Sequence, residues 1–227
     1  MNLLRPNEKR AKTAIMFIWI MLIIEIIAIV SEYFEYTLVK SVYDGFYVSV
    51  EETEANDTRQ IIIGVLNLVF FTISGITFIK WFRRAYFNLH IKVNNLSYKE
   101  SWAAASWFVP IVNIYRSYQI MKELYIETGK ILNTNASDAE TSKSTSTYLL
   151  GIWWFLWLTS GFIGQFIIRL AFNAETLEDY MASNIANIVA SIIGILLAII
   201  TVKIIKNYAS MEDTLILDQE VLVDNNS

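Results

Sequence analysis

The chain has 227 residues, 55% of them hydrophobic, a mean hydropathy of +0.41 and a net charge of −4 from 18 basic and 22 acidic side chains. That acidic balance argues against nucleic acid as a partner, since such partners call for a basic face. The absence of cysteine excludes disulfides, thiol catalysis and thiolate metal sites.

Four apolar runs, at residues 13–39, 60–82, 148–170 and 182–205, organise the sequence. Each meets the roughly 20 residues that a helix needs to cross a hydrocarbon core. A basic arm, residues 1–12 with Arg5, Lys9, Arg10 and Lys12, precedes the first run. That run is much longer than the apolar part of a secretory signal, about 7–15 residues, and reads as a retained signal-anchor helix. Glu25 lies in its middle. A carboxylate at that depth is costly and faces the bundle interior, paired or protonated. Asn67 in the second run and Gln165 in the third fall near the same level. The three could form a proton or cation site, or a hydrogen-bonded packing contact.

Between the second and third runs, residues 101–114 stay apolar over about 14 positions, a length suited to a re-entrant or interfacial segment. Pro110 interrupts it. Beyond the proline, Ile111, Ile114, Tyr115, Tyr118, Met121, Leu124 and Tyr125 fall on one helical face, with Arg116, Gln119 and Glu123 on the other. Residues 80–126 are therefore expected to form an interfacial or re-entrant helical hairpin, its aromatic side in the membrane surface. A fifth, shallow membrane segment is the alternative. Residues 129–147, rich in Ser, Thr, Asn and Asp, read as a flexible tether. In the last run Ala186, Ala190, Gly194 and Ala198 recur every four residues, a groove for close helix packing within the bundle or between two copies. The acidic tail, residues 207–227, reads as unstructured.

Fifteen of the 18 Lys and Arg fall on one side of the four runs; Lys40, Arg59 and Arg169 fall on the other. The positive-inside rule then places both termini and the central loop in the cytoplasm. The expected fold is an all-α membrane protein: four transmembrane helices, residues 13–206, with the hairpin between helices 2 and 3.

The run Trp81-Phe82-Arg83-Arg84-Ala85-Tyr86-Phe87-Asn88-Leu89, then Ser106-Trp107-Phe108-Val109-Pro110-Ile111-Val112-Asn113-Ile114-Tyr115-Arg116, then Tyr118-Gln119-Ile120-Met121-Lys122-Glu123-Leu124, resembles a bacterial family. It is the family of multi-pass membrane proteins catalogued as domain of unknown function 4328. The resemblance rests on Trp81, Arg84, Asn88, Trp107, Pro110, Asn113, Arg116, Gln119 and Glu123; the spans match only as hydrophobic stretches. Ser117 departs from the pattern, which commonly has proline there. The resemblance implies a bacterial inner membrane protein and supplies no reaction or ligand.

Nothing in the sequence points to catalysis. His90 is the only histidine, and metal sites need several converging donors. No zinc-protease, nucleophile-elbow or phosphate-loop motif occurs. No cofactor or metal is expected. Two functions fit. One is a non-enzymatic scaffold or accessory subunit that presents the hairpin to membrane lipid or to a protein partner, alone or as a homo-oligomer. The other is a small transporter or channel using Glu25 and the polar residues at its depth.

Overall fold

The structure, a computed structural model, describes residues 4–135 and 147–224. Among the described residues there are helices and no strands: α1 (Glu8–Tyr43), α2 (Val50–Lys92), α3 (Trp102–Ala105), a 3-10 turn at Val112–Ile114, α4 (Arg116–Asn135), α5 (Tyr148–Asn173) and α6 (Leu177–Asp224). Helices α1, α2, α5 and α6 are long and apolar enough to cross a membrane.

The helix ends follow from local sequence. Gly45, at φ +85°, closes α1: its N–H donates to Val42 and that of Phe46 to Ser41, the paired bonds of a glycine C-cap. Ser49 and Glu52 form a reciprocal cap at the start of α2, the Glu52 carboxylate accepting from Ser49 N at 2.9 Å and Ser49 Oγ from Glu52 N at 3.2 Å. Thr176 and Asp179 repeat the device at α6.

Three segments differ from the sequence reading. Residues 8–12 of the basic arm are already the first turn of α1. Residues 207–224 continue α6 as helix. Tyr208, Glu212 and Leu215, spaced four and three apart, bury one face of that extension. The tether begins as helix too, because α4 runs to Asn135; residues 136–146 lie outside the described residues.

The chain forms two compact units: one of Met1–Met16, Gly75–Trp154 and Thr201–Ser227, the other of Phe17–Ser74 and Phe155–Ile200. The first, unit 1, has an aromatic core. Phe78, Phe82, Trp107 and Trp153 pack with ring centroids 5.5–6.3 Å apart, and Trp81 meets Tyr208 edge-on at 6.0 Å. The face of α4 carrying Ile120, Met121, Leu124 and Tyr125 is buried in this core. This corrects the expected surface-lying helix: its apolar side is covered by protein.

Unit 2 holds the C-terminal parts of α1 and α5 and the N-terminal parts of α2 and α6. Its buried apolar side chains lie largely on α1 (Ile18, Met21, Ile24, Ala28), with Ala198 on α6. On α2 the chains of Ile61, Val65, Leu68 and Phe71 are exposed, and on α5 so are Phe155, Phe162, Phe166 and Phe172. Only 6% of the most apolar window of α2 is buried, and none of that of α5. So much bare apolar surface is untenable in water and natural in lipid.

Candidate functional site

The residues that carried the family resemblance converge in unit 1. Asn88, buried on α2, accepts from Arg5 N at 3.0 Å and donates to Glu212 Oε1 at 2.6 Å. Asn7 donates to the other Glu212 oxygen at 2.9 Å. Two amides therefore hold one buried carboxylate, and N-terminal arm, α2 and α6 are joined through it. Asn7 and Glu212 escaped the sequence reading because both sat in segments taken as arm and tail. The signal available was the continued period of α6 through Tyr208, Glu212 and Leu215.

Glu123 on α4 accepts from the Tyr86 hydroxyl at 2.6 Å and from Ser97 N at 2.8 Å. The Tyr98 hydroxyl donates to Gln119 Oε1 at 2.8 Å. Among the described residues, Arg116, Gln119 and Glu123, which share the polar face of α4, make no bond to Asn88 or Asn113. Gln119 and Glu123 bond instead to the 93–101 connection and α2. Deeper on α4, the Tyr125 hydroxyl donates to Ile204 O at 2.5 Å, and burial pushes this phenol up from its ordinary pKa, so it stays a neutral donor. Arg84 lies half-buried 5.7 Å from the Phe87 ring centre. His90 stacks edge-on against Tyr86 at 4.9 Å.

The stretch from α3 to α4 folds into a loop rather than one broken helix. Its base is closed by Ser106 Oγ and Ser117 Oγ, both buried and 2.9 Å apart. The hydroxyl at 117 thus supplies a bond that proline could not. Val112 N donates back to Pro110 O at 2.7 Å across Ile111, whose φ is +65° and ψ −48°. This is a γ-turn of the rare hand, strained for a β-branched residue. Phe108, Val109, Pro110 and Ile111 are all exposed, Phe108 at 73% and Ile111 at 74%. Asn113 N closes the loop on Val109 O at 3.0 Å.

Two tryptophans anchor this apolar tip. Trp107 packs on Phe78 of α2 at 5.5 Å, and the Trp154 indole N–H of α5 donates to Ile114 O at 3.1 Å. Trp154 lies six residues inside the third apolar run, about 9 Å along the helix. Ile114 is therefore held beside the apolar part of α5.

Unit 2 carries a second polar grouping. Asn67 Nδ2 stands 3.4 Å from Glu25 Oε1, and Ser191 bonds the same carboxylate. Glu25 lies over Gly194, where an added Cβ would come within 3.3 Å of its Cδ. The small residue thus seats a side chain of the same chain. Ala198 is buried, while Ala186 and Ala190 are half-buried. Gln165 is exposed on α5 and does not join the group, because its helix turns that face outward. Along the same helices, Glu32 accepts from Asn184 at 2.9 Å and from Asn187 at 3.2 Å. Gln60 bonds Glu35, and Arg59 bonds Ser31 and Asn56. The sequence reading found Glu25 alone; the glutamates at 32 and 35 sit near a helix end and gave no depth signal.

Four helices long and apolar enough to cross a membrane, with polar groups turned inward, point to a membrane protein. More narrowly, the chain matches the family model described as Domain of unknown function (DUF4328) over residues 45–210 and belongs to that family. No curated protein and no solved structure matches the chain.

Proposed function

We propose that this protein is a non-enzymatic scaffold or accessory subunit of a bacterial inner membrane, with both termini cytoplasmic, whose unit 1 engages the bilayer through a re-entrant loop. The observation that carries the reading is the exposed tip of Phe108, Val109, Pro110 and Ile111, fixed by Trp154 to the apolar part of α5. Bare apolar side chains on a rigid, strained turn are informative beside a core that encloses the largest rings of the unit. Water offers them nothing, whereas a bilayer interface does.

The chain has no cysteine, so single-cysteine probes need no background removal. Spin labels at Phe108→Cys and Ile111→Cys, in bilayers, should be relaxed by oxygen and shielded from a water-soluble paramagnet, unlike a label at the exposed Asn95. Equal water access at all three positions would refute insertion. Reporter fusions at the two termini test the orientation, and opposite sides would overturn it.

A second reading is favoured by the inward line of Glu25, Glu32 and Glu35 with their amide partners, which resembles the lining of a proton or cation path. Ion flux in vesicles that survives Glu25→Gln and Glu32→Gln, or no flux at all, counts against it.

A further inference from the structure

Resting on the membrane-engaging reading of unit 1, we propose that Arg116, with Gln119 and Lys122, forms a binding site for the headgroup phosphate of an anionic phospholipid. Arg116 opens α4 directly after the loop. Its guanidinium carbon lies 4.6 Å from the ring centre of Tyr98, 5.4 Å from Trp102 and 5.5 Å from Tyr115. Among the described residues it has no hydrogen-bond or ion-pair partner, and its Nε is buried with nothing to donate to. Three rings can hold a cation by their faces, but they leave a fork of five N–H donors without an acceptor. A fork of that geometry matches a phosphate, which accepts two parallel bonds.

Two further donors follow on the same helix. Gln119 and Lys122 follow Arg116 at three-residue intervals, so they descend the same side of α4. Both are exposed and line a cleft of about 280 Å³ with Ser97 and Tyr98; Arg116 lies outside that lining and meets it through the Tyr98 ring. The Gln119 oxygen is taken by Tyr98, which leaves its amide N–H groups outward. Two carboxylates also face the cleft: Glu127 is paired with Lys130 at 2.7 Å, while Glu123 is held by Tyr86 and Ser97 N and keeps its charge, so the phosphate is placed at the Arg116 end, away from Glu123. Lys122 has no such counterion among the described residues.

The source of the phosphate follows from the loop. Five positions before Arg116, Ile111 presents its apolar side chain outward, and Ile114 is tied to the apolar part of α5. A molecule spanning both features needs acyl chains below a negatively charged head. Phospholipid has that form, and free phosphate does not. Each basic residue near an anionic bilayer surface adds about a fivefold preference.

The test uses the full chain, purified in mild detergent and returned to bilayer discs. Native mass spectrometry should find phosphatidylglycerol retained over phosphatidylcholine, and thermal unfolding should shift upward in discs containing phosphatidylglycerol. Arg116→Ala should cut the retention about fivefold, Lys122→Ala less, and Arg116→Lys should fall between wild type and alanine. No lipid preference in the wild type, or undiminished preference in Arg116→Ala, overturns the proposal. So does equal stabilisation by inorganic phosphate, which would make the ligand a free anion. If Arg116→Ala does not fold, the wild-type preference and Lys122→Ala decide the matter. A label at Ile111→Cys in the same discs separates the two readings. Shielded from water without lipid preference, only this site fails; open to water, the inserted loop fails with it.

Discussion

The two units differ in the size of the side chains that they bury. Unit 1 holds the largest fully buried groups: Trp81, Tyr86, Tyr208, Phe82, Leu89, Ile120 and Met121. Unit 2 buries Ile18, Met21 and Ile24 of α1 together with smaller groups, among them Ala28, Ser31, Asn56, Asn184, Ser191 and Ala198. Among the described residues it encloses no aromatic ring, and it leaves rows of Ile, Val, Leu and Phe outside. The same physics gives both patterns once the solvent changes. In water, large apolar groups gain most by burial. In lipid they gain nothing by turning inward, so close approach selects small residues and the interior collects groups that lipid cannot solvate. Unit 1 thus encloses its large rings as a domain in a polar phase does, and the bare turn from Phe108 to Ile111 stands out against that habit.

The contrast breaks first, and most severely, at tryptophan. Trp81→Ala should cost about 3–5 kcal/mol, because a fully enclosed ring leaves a cavity. Phe162→Ala in unit 2, where the ring is 73% exposed, should cost less than about 0.5 kcal/mol. Reversible unfolding in mixed micelles measures both. Equal losses would mean that the exposed phenylalanine is covered by something other than lipid.

Next comes Glu212→Ala. It leaves the buried amides of Asn7 and Asn88 without their acceptor, a loss of about 2 kcal/mol at the least, since each buried donor left unsatisfied costs about 1–3. Because Asn7 stands in the N-terminal arm, limited proteolysis at that end should accelerate more than anywhere in unit 2. An unchanged cleavage rate would show that the arm is held by other contacts.

These two sites also mark how far the sequence could be read. The four spans and the Trp81–Glu123 motif were legible because length, apolarity and residue type are local properties. The partner of Asn88 was not, for it lies 124 positions away on a helix extension whose net acidity hid its period. The face of α4 was legible as apolar. What covers it was not, because periodicity reports that a face is buried and never by what. Gln165 was misplaced for a related reason: depth along a helix can be counted from sequence, while rotation about its axis depends on neighbours. Glu25 and Gly194 came from the same sequence as separate features. Their meeting at 3.3 Å needed the fold.

Within unit 2, Gly194→Leu sharpens the comparison at a smaller scale. The leucine would drive into the Glu25 side chain, an overpacking cost of about 1–3 kcal/mol. If the four-residue ladder served a second copy of the chain instead, crosslinked dimer would vanish while the monomer kept its stability. Loss of monomer stability without a change in dimer fits packing inside one chain.

The smallest effect has the opposite sign. Ile111→Gly removes a β-branched side chain from φ +65°, where glycine is unstrained, and releases up to about 1 kcal/mol. A residue chosen for the stability of unit 1 alone would therefore be glycine. Isoleucine at that position makes sense if the exposed side chain has an occupation that the fold does not supply, and membrane insertion is one. The variant should then be slightly more stable in detergent, and a label at Phe108→Cys should become more open to water in bilayers. Greater stability with unaltered shielding would leave the strain at Ile111 without a membrane purpose. Lower stability would show that the turn is held by contacts of the isoleucine itself.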